Sequence, residues 1–117
     1  MKARMCALAI PVLLTLMLTA QAADARIEWA NPELSFEGTT AVCSASCRAD
    51  STKDKIEATI TLYQGDSYAA SWSNSGTGFV RVSGSCDVQR GKSYKLVVDY
   101  SINGTAKQPK TVTGTCP

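Results

Sequence analysis

Between Thr39 and Cys116 apolar and polar residues alternate, a period of two that suits a pleated strand with one buried face. Ala41, Cys43, Ala45 and Cys47 fall on one side of a strand, with Val42, Ser44, Ser46 and Arg48 on the other. Ile56, Ala58, Ile60 and Leu62 then alternate with Glu57, Thr59, Thr61 and Tyr63. A short strand surrounds Trp72, and Val80, Val82, Gly84, Cys86 and Val88 share a parity opposed by Arg81, Ser83, Ser85 and Asp87. Tyr94, Leu96, Val98 and Tyr100 repeat the pattern, and Val112, Gly114 and Cys116 close it. Turn chemistry separates these runs at Ala49 to Asp54, Gln64 to Ser67, Asn74 to Gly78 and Gln89 to Lys92, and Asn103-Gly104 suits a tight hairpin with positive φ. Six short strands at this spacing predict an all-β chain folded as an antiparallel β-sandwich. Residues 26–38 carry Pro32, Gly38 and three glutamates without a sustained period, and are expected to form an N-terminal arm leading into a domain spanning residues 39–117.

Residues 1–25 have a different character. Lys2 and Arg4 precede an apolar run from Cys6 to Thr19, and small residues follow at Ala20, Ala22, Ala23 and Ala25. That order is the signature of a secretory signal peptide, cleaved after Ala22 or Ala25. The apolar run of about 14 residues is short of the roughly 20 that span a bilayer, so no membrane span is expected in the mature form. Export makes the protein secreted and extracellular, and removal of Cys6 turns five cysteines into four.

Those four, Cys43, Cys47, Cys86 and Cys116, lie on the apolar parity and belong in an oxidising compartment, which predicts two disulfides within the core. A four-thiolate zinc site would want two close pairs, and only Cys43 and Cys47 are close. Side chains four apart on one strand stand about 13 Å from each other, so Cys43 does not bridge to Cys47. The choice lies between Cys43–Cys116 with Cys47–Cys86 and the crossed alternative.

Composition removes most chemistry. The chain of 117 residues has no histidine, the commonest general base and metal ligand, and no serine has an evident activating base. The carboxylates are scattered over turns and outward positions, where no spacing sets two of them across a cleft. Asp50 to Asp54 lacks the order of a calcium loop, and Asn103-Gly104-Thr105, although a glycosylation sequon, is explained by the hairpin. From Arg26 onward 10 basic residues face 9 acidic ones, too balanced for nucleic acid or an anionic membrane. No enzyme, metal or cofactor is expected.

The stretches ATITLYQG (58–65), ASWSNSGTG (70–78) and VSGSCDVQRGKSYKL (82–96), with the terminal cysteine, resemble a group of small secreted immunoglobulin-like proteins of unassigned function from Gram-positive, mostly clostridial, bacteria. The similarity runs from about Thr39 to Cys116. It implies an immunoglobulin-like antiparallel β-sandwich of six or seven strands, stapled by two disulfides. In that group one cysteine in the first strand and one at the C-terminus match Cys43 and Cys116, whereas the positions of Cys47 and Cys86 typically hold other residues. The resemblance therefore implies Cys43–Cys116 with Cys47–Cys86. Val88, Gly91, Tyr94, Leu96 and Val98 also resemble the corner of fibronectin type III and related sandwiches, where a tyrosine hydroxyl bonds backbone across the turn; Trp72 would then be the core tryptophan of a central strand.

What remains is surface. Tyr63 and Phe79 fall on the outward parity and Trp29 lies in the arm, and large apolar groups facing solvent mark recognition. The function expected is a secreted, monomeric, non-enzymatic binding or adhesion module for an extracellular protein or glycan, with Trp29, Tyr63 and Phe79 as its first contacts. The alternative is a secreted effector, an enzyme inhibitor or antimicrobial protein; an inhibitor would need a projecting loop, for which Asn74 to Gly78 is the glycine-rich candidate.

Overall fold

The computed structural model describes residues 29–117, so the expected signal peptide over residues 1–25 lies outside the described residues. The described residues are all-β, with eight strands: β1 (Trp29–Glu37), β2 (Thr40–Arg48), β3 (Lys55–Gln64), β4 (Ser67–Thr77), β5 (Phe79–Asp87), β6 (Ser93–Ile102), β7 (Thr105–Ala106) and β8 (Lys110–Thr115). They form two antiparallel sheets. One is three-stranded in the order β1-β2-β5; in the five-stranded sheet β4, β3 and β6 lie side by side, and β7 and β8 both pair with β6. Since β3 occupies the opposite side of β6, β7 and β8 amount to one edge strand broken around Pro109, which has no N–H for a ladder. No helix among the described residues is long and apolar enough to cross a membrane.

The two sheets bury their alternating faces against each other. Ala41, Cys43, Ala45, Val80 and Val82 from the smaller sheet meet Ile56, Ile60, Leu62, Leu96 and Val98 from the larger one. Each open flank is closed by an aromatic ring laid against a glycine. On one flank Trp72 of β4 covers Gly84 of β5 so closely that a Cβ there would lie 2.1 Å from the indole; on the other, Phe36 of β1 packs on Gly114 of β8 and tilts against Tyr94, ring centres 5.8 Å apart. The chain passes between sheets at Gly78, where φ is +76° and an added Cβ would stand 2.8 Å from the Thr52 backbone. Only glycine suits both demands.

Several expectations hold in detail. Asn103 and Gly104 both have positive φ in the two-residue hairpin between β6 and β7. The Asn103 side chain accepts the Lys55 N–H and donates to Asp54, tying the hairpin to the turn before β3. The buried Tyr94 hydroxyl accepts the Gln89 N–H at 2.8 Å across the corner.

Others are corrected. The expected arm is an integral strand: β1 pairs with β2 along its whole length, turning Ala30, Pro32, Leu34 and Phe36 inward and Trp29, Asn31, Glu33, Ser35 and Glu37 outward. Pro32 is tolerated because β1 is an edge strand. The tract from Asn74 to Thr77 is not a loop either, since β4 continues through it in register with β3, and only Gly78 turns. Trp72 sits on an edge strand rather than a central one.

The expected disulfides are absent, and all four cysteines are free thiols. Cys47 lies opposite Val80, and Cys86 opposite Ala41. The six residues from Ala41 to Cys47 span about 20 Å of strand, far beyond disulfide reach. Cys116 directs its thiol to the Gly38 carbonyl at 3.3 Å, in the turn joining β1 to β2. The shared inward parity was legible; positions along the strands belong to register.

Candidate functional site

The outer face of the three-stranded sheet is a grid fixed by register. Its first row is Trp29, Arg48 and Phe79, and its second is Asn31, Ser46 and Arg81. Glu33, Ser44 and Ser83 form the third, Ser35, Val42 and Ser85 the fourth, and Glu37, Thr40 and Asp87 the fifth. Alternation of side chains puts all of them on the side away from the core.

In the first row the Arg48 guanidinium lies between two rings, 5.9 Å from the Trp29 centre and 5.4 Å from that of Phe79. Both aromatics stay open to solvent, Trp29 at 39% and Phe79 at 43% exposure. Arg81 donates to Ser46 at 3.2 Å in the next row. Two guanidiniums therefore sit beside two exposed rings, and among the described residues no carboxylate occupies these two rows of the sheet. The acidic side chains Glu33, Glu37 and Asp87 lie further down the same face, which polarises it from cationic and aromatic to acidic.

Trp29 and Phe79, far apart in sequence, are thus brought into one cluster. Tyr63 does not join them: it lies half-buried on the outer face of the other sheet, opposite Lys95, whose ammonium is 5.2 Å from its ring. Arg48 and Arg81 complete the cluster, although sequence reasoning did not single them out. Their outward parity was available; their neighbours were not, because Trp29 was not assigned to a strand.

A concavity of about 590 Å³ crosses the outer face of the five-stranded sheet between Glu57, Thr59, Ser73, Ser75, Asp99 and Ser101. The Thr59 and Ser73 hydroxyls bond each other at 2.8 Å, and Glu57 pairs with Lys55 at 3.8 Å. It offers hydroxyls and carboxylates to a polar ligand, and its outer-face side chains include no exposed ring.

Three of the thiols sit in surroundings that disfavour the thiolate. Burial pushes Cys43 and Cys47 up to about 11, with Cys86 adding a smaller push on Cys43, and burial followed by Asp87 raises Cys86. They stay protonated at neutral pH. No protein-family model matches the chain, and no curated protein matches it.

Proposed function

We propose that this is an exported, monomeric, immunoglobulin-like domain that acts as a non-enzymatic binding module for an extracellular protein or glycan, through the Trp29 end of the outer face of its three-stranded sheet. The observation that carries this reading is the Trp29–Arg48–Phe79 row, assembled from three strands and left open to solvent. Exposed rings at solvent-facing strand positions cost solubility without adding to a core, which favours a role in recognition. Arg, Trp and Tyr are also the residues that dominate binding energy at contact surfaces. The immunoglobulin-like part of the reading is supported by the strand order β1-β2-β5 set against β4-β3-β6-β8 and by the tyrosine bond across the corner. A non-enzymatic role fits the missing histidine and the protonated thiols.

The test is capture of partners from extracellular material by the full-length product as secreted, compared with the Trp29→Ala/Phe79→Ala variant. A captured protein or glycan lost in the variant supports the reading; identical capture by both, or none by either, sinks it. N-terminal sequencing of the exported protein checks the export step, and an intact Met1 would refute cleavage.

A further inference from the structure

The polarity of this face also selects a class of ligand. We infer that the Trp29 end binds an acidic glycan, a chain of pyranose rings bearing carboxylates; this rests on the reading of that face as the binding surface. Strands lie about 4.8 Å apart, so the rings of Trp29 and Phe79 are roughly 10 Å from each other across the sheet, with Arg48 midway. A chain laid across the three strands therefore meets ring, guanidinium and ring in succession.

Each component suits that ligand. Arg48 is flanked by two aromatic faces, which restrict its side chain before binding, so less freedom is lost when its fork engages a carboxylate. A planar guanidinium meets a carboxylate through two parallel hydrogen bonds, a geometry an ammonium lacks. Arg81 stands one row along the strand, within reach of a second carboxylate on the same chain, and its bond to the Ser46 hydroxyl steadies it. The exposed ring surfaces accept the C–H faces of the sugars, while Asn31 and Ser46 between them can bond hydroxyls. Further along, Glu33, Glu37 and Asp87 repel an anionic chain, so it is confined to this end.

A protein partner fits less well. Protein contacts draw their energy from well-packed, desolvated apolar pockets, and the open hollow on this face is lined mainly by polar side chains: Ser35, Ser44, Ser46, Ser83 and Ser85 fill its middle rows, with Val42 the one further exposed large apolar residue there.

The experiment is calorimetric titration of the secreted protein with oligogalacturonate, hyaluronan oligosaccharides, fully methyl-esterified oligogalacturonate and a poly-glutamate peptide of matched length. At least one of the two acidic glycans should bind, more weakly as salt is raised, and the methyl ester, with the same rings and no charge, should bind about tenfold more weakly or worse, the loss expected for one charged hydrogen-bonded pair. Arg48→Gln and Arg81→Gln should each lower affinity for the acidic glycan about tenfold, and Trp29→Ala by a similar factor. Circular dichroism melts confirm that these exposed substitutions leave the fold intact. Equal binding of acid and ester would overturn the inference while leaving the face a binding surface. Binding of poly-glutamate as tightly as the glycans, unaffected by Trp29→Ala, would overturn it in favour of an acidic protein partner. Failure of both acidic glycans would also overturn it, whereas the broader reading falls only if Trp29→Ala/Phe79→Ala captures the same partners as the wild type, or neither captures any.

Discussion

Gly84→Ala tests how the flank between β4 and β5 is closed. A Cβ at Gly84 would stand 2.1 Å from Trp72 Cε2 and 2.3 Å from Cδ2 and Nε1, so the ring and the methyl group cannot share the space. Trp72 is half-buried on an edge strand, so it can yield by swinging toward solvent. A tryptophan covers about 200 Å², and losing half of that contact at ~25 cal/mol per Å² costs roughly 2.5 kcal/mol. For a domain of this size that lowers Tm by about 10–20 °C. Trp72→Ala removes the same packing and leaves a void, at about 3 kcal/mol. The double variant has no ring to displace, so it should lose about 3 kcal/mol rather than the 5.5 or so of independent effects, a coupling of ~2.5 kcal/mol. Urea unfolding followed by far-ultraviolet circular dichroism measures all three, since tryptophan fluorescence would change with the substitution itself. Additive losses, or a Gly84→Ala variant within about 0.5 kcal/mol of wild type, would refute the proposed contact as the cause.

Three further outcomes are expected. Tyr94→Phe should cost about 1 kcal/mol, because the Gln89 N–H loses its acceptor while the ring stays packed; an unchanged urea midpoint would show that bond to be idle. Trp29→Ala and Phe79→Ala should each shift stability by no more than about 0.5–1 kcal/mol, measured in the same way, and a loss as large as that of Trp72→Ala would place them in the core. In reducing buffer, stability should be complete below about pH 7.5, where the Cys43 and Cys47 thiols are protonated folded or unfolded, and should decline as pH rises through about 9 toward about 11, because the unfolded chain ionises thiols that burial keeps neutral in the fold. Cys47→Ala should make that decline shallower, and equal slopes for the variant and wild type would remove Cys47 as a cause.

The period of two dictated strands in place of helices and the inward parity of β3, β5 and β6, because strand geometry is local and repeats with every pair of residues. The Asn103-Gly104 hairpin and the corner at Tyr94 were legible for the same reason: each depends on a few neighbouring residues. Legibility failed where local chemistry and partner disagreed. Pro32 and Gly38 look like loop residues, yet Pro32 is harmless at a sheet edge, and pairing with β2 makes residues 29–37 a strand. Asn74, Ser75 and Gly76 likewise read as a turn until β3 supplies the ladder that holds them extended. Parity gave the cysteines a common face but no common position, and the register of β2 against β5 separates Cys47 from Cys86 by six residues. The candidate site has the same origin. Trp29, Arg48 and Phe79 each point outward by local rule, but their meeting in one row is set by which strands become neighbours and in what register, and those hydrogen bonds join residues distant in the chain.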